Sequence, residues 1–370
     1  MQIPLSQPDV SGNEERYVSE AVRSTWISST GEFVDRFERE YAALCGTESS
    51  IAVCNGTVAL HLALLALDVR PGDEVLVPSL TYVAVANAVR YVGAEPVFVD
   101  VDSATWCIDP ARIEENVTPR TRGIIAVHNY GHPADMDAIN ELAGVHGLWV
   151  VEDAAEAHLA EYRGRVVGSL ATIGTFSFYG NKIISSGEGG ALTLSDRQLE
   201  LRLRTLRGQG MDPKRRYYFP VTGYNFRLTN VACALLCAQM EHLDEMLEAR
   251  QAIFARYREQ LDGCEGLEFQ PRAGWATPAP WLFNITIDAR TFPTDAAGLR
   301  RALEVQGVET RPFFIPLHGL PPFRESARAR GVDLPVTNRL GASGVSLPTF
   351  SQLRLEEVDR VCALVRQVRG

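Results

Sequence analysis

From residue 50 to about 195, short apolar runs alternate with stretches of helical periodicity. The runs are "IAVCN" (51–55), "EVLVP" (74–78), "PVFVDV" (96–101), "GIIAVH" (123–128), "LWVVED" (148–153), "GTFSF" (174–178) and "GALTL" (190–194). Several are apolar throughout, as in strands covered on both faces. Between them lie helical patterns. "TVALHLALLAL" follows Asn55-Gly56, and "DMDAINELAGVHG" offers Asp135 as a cap and Gly147 as a stop. The alternation predicts an α/β fold around a central, mostly parallel seven-stranded sheet.

Residues 229–262 read as one long amphipathic helix. After it the pattern changes. "WLFNITI" (281–287), 299–314 and 355–368 predict a smaller α+β domain. The expected division is 1–245, an N-terminal arm with the large domain, and 246–370. The loop 209–222, rich in Lys, Arg and Tyr, is expected to be exposed.

Composition narrows the function classes. With 370 residues, 46% hydrophobic and 22% charged, the chain has the make-up of a soluble globular enzyme. A net charge of −10 argues against a nucleic-acid or membrane-surface binder. It leaves room for a local cationic pocket that takes a small anion. The seven cysteines are scattered, with no CxxC pair and no zinc spacing, which predicts reduced thiols and a cytoplasmic protein. The N-terminus lacks the basic and apolar regions of a signal peptide. No apolar run approaches the ~20 residues of a membrane span. His128 and His132 are four apart, but they sit in a Tyr-Gly-His-Pro loop with no Glu to complete a metalloprotease motif, so no metal site is expected. Cys233 and Cys237 are expected in the core. "DPKRRYY" (212–218) reads as a solvated loop, with diphosphate binding at a subunit interface as the alternative.

Ligands of open α/β sheets sit beyond the carboxyl ends of the strands, and four features fall there. Gly56 and Thr57 open a helix after a strand, where free N–H groups and a hydroxyl suit a phosphate. They fit equally a plain turn with Thr57 as the cap. Asp153 ends an apolar strand, where an unpaired carboxylate is costly and a protonated ring nitrogen would partner it. Its other reading is a helix cap. Tyr82 follows a strand and could stack on a planar ring or pack under a helix. Lys182 stands in "FSFYGNKIISSGEGG" (176–190) with no charged residue but Glu188. It is either a loop lysine or a nucleophilic amine. Together the four match the needs of pyridoxal 5′-phosphate. No GxGxxG follows an early strand, which argues against a nicotinamide oxidoreductase.

"NGTVALHLAL", "PSLTYVAVANAV", "GAEPVFVDVD", "VHNYGHPADMDAI", "VEDAAEAH", "FSFYGNKIISSGEGG" and "GYNFRLTN" resemble the DegT/DnrJ/EryC1/StrS sugar aminotransferase family over nearly the whole chain. "YGNK" followed by "GEGG" is most similar to its GDP-perosamine synthase-like members. The resemblance implies the fold-type-I, aspartate aminotransferase-like architecture. It implies Lys182 as the Schiff-base lysine, Asp153 on the pyridine nitrogen, Glu156 near the ring's phenolic oxygen and Tyr82 stacked on the ring. Gly56, Thr57 and Ser177 would hold the phosphate. Asn225 would reach the phosphate of a neighbouring subunit, in a homodimer with shared active sites. Arg227, Arg311 and His318 would lie near substrate. Lysine at 182, where one branch of the family carries histidine, favours transamination. The implied reaction moves an amino group from L-glutamate to a keto nucleotide-sugar, giving a 4-amino-4,6-dideoxyhexose. A 3-keto sugar, a keto-cyclitol or sugar dehydration are the alternatives. Asn129, and "KRRYYFPVTGYNF" (214–226), depart from the subgroup pattern.

Overall fold

The computed structural model describes residues 2–369. All seven apolar runs become strands, at Ser49–Val53, Glu74–Pro78, Glu95–Val99, Thr121–Val127, Trp149–Asp153, Ile173–Ser177 and Gly190–Leu194. They form one sheet in the order 49–53, 190–194, 173–177, 149–153, 121–127, 74–78, 95–99. The pairings from 173–177 to 95–99 are parallel. Gly190–Leu194 is antiparallel to both its neighbours. It follows Ile173–Ser177 without a crossover helix, and only a crossover returns a strand parallel.

The unbroken apolar runs have a direct cause. Successive side chains of a strand point to opposite faces. Ile124 and Ala126 enter one core, while Ile125 and Val127 enter the other. Helix Gly56–Ala66 covers the second face and buries Ala59, Leu60, Leu62, Ala63, Leu64 and Ala66.

A third core belongs to the smaller unit. Its antiparallel sheet runs in the order Leu267–Phe269, Phe283–Ile287, Gly344–Leu347, Arg311–Pro312. Ile253, Tyr257, Ile285, Leu299, Val345 and Val361 fill this core. The extreme N-terminal segment joins it as well. Ile3 is buried there, donates its N–H to Gly307 O at 2.8 Å and accepts from Glu309 N at 2.9 Å.

The single helix expected over 229–262 is two helices, Asn230–Glu241 and Leu243–Leu261, broken at His242. Thr229 caps the first, as its position suggests, accepting from Ala232 N at 3.2 Å. The break follows from packing. Cys233, Ala234, Leu236, Cys237 and Ala238 pack into the first core, and both cysteines are fully buried. The second helix leaves that core after Leu243 and Met246 and enters the third with Ile253, Tyr257 and Leu261. One straight rod cannot present a continuous stripe to both cores.

Asp135 and Gly147 bound their helix as read. Asp135 accepts from Ala138 N, and Gly147 adopts a left-handed φ of 65°. The loop 209–222 is mostly exposed. All seven cysteines are free. Among the described residues, no helix is long and apolar enough to cross a membrane.

Candidate active site

A cavity of about 660 Å³ opens at the carboxyl ends of strands 149–153 and 173–177. Gly56, Thr57, Tyr82, Asp153, Glu156, Ser177, Lys182 and Arg311 all line it. The topology thus brings together eight of the residues singled out in the sequence.

The phosphate-like corner is built by close backbone approach. Asn55, not Thr57, caps helix Gly56–Ala66, with its side chain accepting from Val58 N at 2.9 Å. The first-turn N–H groups of a helix have no intrahelical acceptor, and Gly56 and Thr57 present theirs at the cavity edge. A Cβ at Gly56 would lie 2.8 Å from Ser177 Cβ, and one at Gly190 would lie 2.5 Å from Asn55 C. Glycine at 56 lets the helix start meet the end of strand 173–177, and glycine at 190 lets it meet the start of strand 190–194. Ser177 is pinned from behind. Its carbonyl accepts from His158 Nε2 at 2.9 Å, and His158 Nδ1 accepts from the Tyr41 hydroxyl at 2.9 Å. A carbonyl can only accept, so Nε2 carries the proton. Burial pushes the imidazole down to about 3, so it is neutral.

Asp153 is the last residue of its strand and is buried. No helix follows it, which removes the helix-cap reading. Oδ1 instead accepts from Ala155 N at 3.1 Å in a turn. Burial raises its carboxyl above the usual range, opposed by that N–H and by the Lys182 charge. Glu156, three residues on, accepts from Tyr130 N at 2.9 Å. Burial pushes it up to about 7, with Lys182 pulling it back.

Lys182 is not a solvated loop lysine. Its side chain is 11% exposed, and Nζ lies 4.0 Å from Glu156 Oε1. Nζ also lies 4.3 Å from the centroid of the Trp281 ring. Burial lowers its pKa, while Glu156 and Asp153 oppose the shift and Arg311 adds to it. Tyr82 is 58% exposed at the cavity mouth, so it is no core tyrosine. Its ring centroid stands 6.0 Å from that of Phe314.

Asn225, Arg227 and His318 do not reach this wall. Asn225 is exposed, and its Oδ1 accepts from Arg227 Nε and Nη2 at 3.1 and 3.0 Å. His318 is spent on the sheet edge. Its Nδ1 is 2.8 Å from Ser79 Oγ, and its N–H donates to the same oxygen at 3.1 Å. His128 and His132 flank a 3-10 turn, Asn129–Gly131, in the loop after strand 121–127, and both are buried. His128 Nδ1 accepts from Ala134 N, so Nε2–H faces Glu152 at 3.0 Å. His132 Nε2 accepts from Ala273 N at 3.1 Å. Asn129 is also buried and donates to the carbonyls of Trp106 and Leu80.

The sequence reading missed the aromatic wall. Trp281, Phe313 and Phe314 line the cavity. Tyr130 stacks behind them, 4.4 Å from Phe313, 5.5 Å from Phe314 and 6.5 Å from Trp281 between ring centroids. A further sequence signal for the amine is its rarity. Of 36 basic residues only Lys182 and Lys214 are lysines, and Lys214 lies in the exposed loop.

A model of the DegT/DnrJ/EryC1/StrS aminotransferase family matches residues 8–366. The chain is 45% identical to the GDP-perosamine synthase of Caulobacter vibrioides, over 99% of this chain and 98% of that protein. It is 40% identical to the GDP-perosamine synthase of Escherichia coli O157:H7, over 99% and 98%. Among solved structures, S. venezuelae DesV in complex with a ketimine intermediate superposes with a TM-score of 0.89 at 37% identity. That match covers 96% of this chain and 94% of the other.

Proposed function

The chain belongs to the DegT/DnrJ/EryC1/StrS aminotransferase family and is an aminotransferase, and we propose that it moves an amino group from L-glutamate to the keto group of a nucleotide-linked deoxy sugar, with pyridoxal 5′-phosphate as carrier. The observation that carries this reading is the buried Lys182 amine, set beside two buried carboxyl groups and across from a glycine-built anion corner. Two relatives at 45% and 40% identity that are named GDP-perosamine synthase support a perosamine-type, 4-amino-4,6-dideoxyhexose product.

The residues present fit the cofactor. Gly56 and Gly190 let the start of helix Gly56–Ala66 close against Ser177 and strand 190–194, which sets free N–H groups beside the Ser177 hydroxyl at the cavity edge. Asn181 Oδ1, on the cavity wall, is buried without a hydrogen-bond partner. When bound, the cofactor supplies a carbonyl that carries the amino group and a ring that accepts the electrons released at the substrate carbon.

The chain's own residues do the rest. Gly56 and Thr57 N–H groups with the Ser177 hydroxyl would hold the phosphate. Asp153 would keep a proton on the ring nitrogen, and Glu156 would stand near the phenolic oxygen. Lys182 Nζ accepts the proton leaving the donor's Cα and returns one at the end of proton transfer. Tyr82 would cover the ring, and Arg311, on the same cavity wall, would meet the substrate's negative charge.

The same reading makes the protein a cytoplasmic homodimer. Asn225, kept off its own cavity wall, serves the phosphate of the second copy. Arg227, bonded to Asn225, lies near that copy's substrate. Trp26, Ile27, Tyr217 and Phe219 are exposed apolar side chains that a second copy would cover.

The test is incubation with L-glutamate and a panel of keto nucleotide-sugars, read by mass spectrometry. Aminated sugar and 2-oxoglutarate should form in equal amounts, and Lys182→Ala should form neither. Loss of water from the sugar without 2-oxoglutarate would make the protein a dehydratase.

A further inference from the structure

Trp281 lies a hundred residues beyond Asn181 and Lys182 and touches both. Its Nε1–H donates to the Asn181 carbonyl at 2.8 Å. Its ring face receives Lys182 Nζ at 4.3 Å from the centroid. One indole thus holds the backbone just before the lysine and the amine at its tip. The indole is itself fixed. Arg250, wholly buried, donates to the Trp281 carbonyl at 3.0 Å and to the Thr349 carbonyl at 3.4 Å. Tyr130 lies nearly parallel to the indole, at 18°.

We propose that Trp281 is a positioning residue for the Lys182 amine: its N–H anchors the segment that carries the lysine, and its π face holds the ammonium form aimed into the cavity. The inference rests on the reading of Lys182 as the reactive amine. The physics is a competition. Burial disfavours the charged amine, and Arg311 adds repulsion. Glu156 and Asp153 favour the charge, but Glu156 is 4.0 Å away, beyond hydrogen-bond reach. An aromatic face attracts a cation most strongly where water is excluded. Trp281 therefore keeps both protonation states of the amine accessible, as a group that takes and returns a proton requires.

The two lysines make this directly measurable. The full-length chain, freed of cofactor and carrying lysine labelled with 13C at Cε, should give two side-chain signals, assigned with Lys214→Arg. In the wild type, the Lys182 Cε protons should be shielded by the indole ring relative to those of Lys214. Trp281→Leu should abolish the shielding and lower the Lys182 titration midpoint by about half to one pH unit, the scale of a cation–aromatic contact shielded from water. Trp281→Phe keeps a ring but loses the N–H, and its midpoint should fall between the two.

An unshielded Lys182 signal in the wild type overturns the proposal, even if neither variant folds. So does a Trp281→Leu midpoint at or above that of the wild type. Full aminotransferase activity in Lys182→Ala would instead refute the role of Lys182 and leave the Trp281 contact standing.

Discussion

The N–H of Tyr130 points at the Glu156 carboxylate, 2.9 Å away, because Tyr130 holds a left-handed backbone with φ of 53°. Gly131 follows with φ of 90°, and a Cβ there would sit 2.2 Å from the Ala279 carbonyl oxygen. Positive φ in a bulky, buried residue is costly and is kept where the surroundings enforce it. Here it supplies a hydrogen bond that, with the larger pull of the Lys182 charge, opposes the rise that burial imposes on Glu156.

The pH dependence of Glu156 follows. Its folded value, about 7, lies above the ordinary 4.5. Between pH 4.5 and 7 the folded chain holds a proton that the unfolded chain has released, so stability falls as pH rises through that window. The loss is at most about 3 kcal/mol by linkage. The buried His132 and His158, whose folded values lie below 6.5, contribute the opposite slope to both proteins, so in cofactor-free protein the Tm of Glu156→Gln relative to that of the wild type should rise between pH 5 and 8. A difference that stays constant with pH would show that Glu156 does not titrate there.

Asp153→Asn should cut amino transfer at least ~100-fold, comparable to losing a positioned electrostatic partner. The amide keeps the shape and can still accept from Ala155 N, so Tm should change little. Steady-state kinetics check it, and a rate within twofold of wild type would remove Asp153 from the chemistry.

Gly56→Ala tests the anion corner. Helical dihedrals suit alanine, but its Cβ would press on Ser177 Cβ at 2.8 Å. Cofactor dissociation measured by dialysis should rise at least ~10-fold, as loss of one or two charge-assisted hydrogen bonds would produce. Unaltered affinity would place the phosphate elsewhere.

The shared site can be tested by complementation. Lys182→Ala and Asn225→Ala should each be nearly inactive. In a tag-selected heterodimer of the two, one site inherits both lesions and the other neither, as an isologous dimer permits. That heterodimer should recover about half of wild-type activity per dimer. An inactive heterodimer would show that Asn225 serves its own subunit.

The sheet was legible in the sequence because its cause is local. A strand buried on both faces needs apolar residues at odd and even positions alike, as Ile124, Ile125, Ala126 and Val127 show. Asp153 and Gly56 could be placed at the cavity edge too, because a parallel sheet collects its strand ends along one edge, whereas Ser177 came only with the family resemblance. Even the amine was nearly determined, with two lysines in the chain and one of them in an exposed loop.

Tertiary structure alone decided what the amine faces. Trp281 meets Asn181 across 100 residues, and Tyr130 meets Glu156 across 26. No periodicity reaches that far, because such contacts depend on how the cores close and not on local spacing. The break at His242 has the same origin, since the apolar rhythm runs on through it and two separate cores pull the chain apart. His318 shows the reverse case. Its residue type suits a binding site, but packing set it against Ser79 at the sheet edge, where its hydrogen bonds are already made.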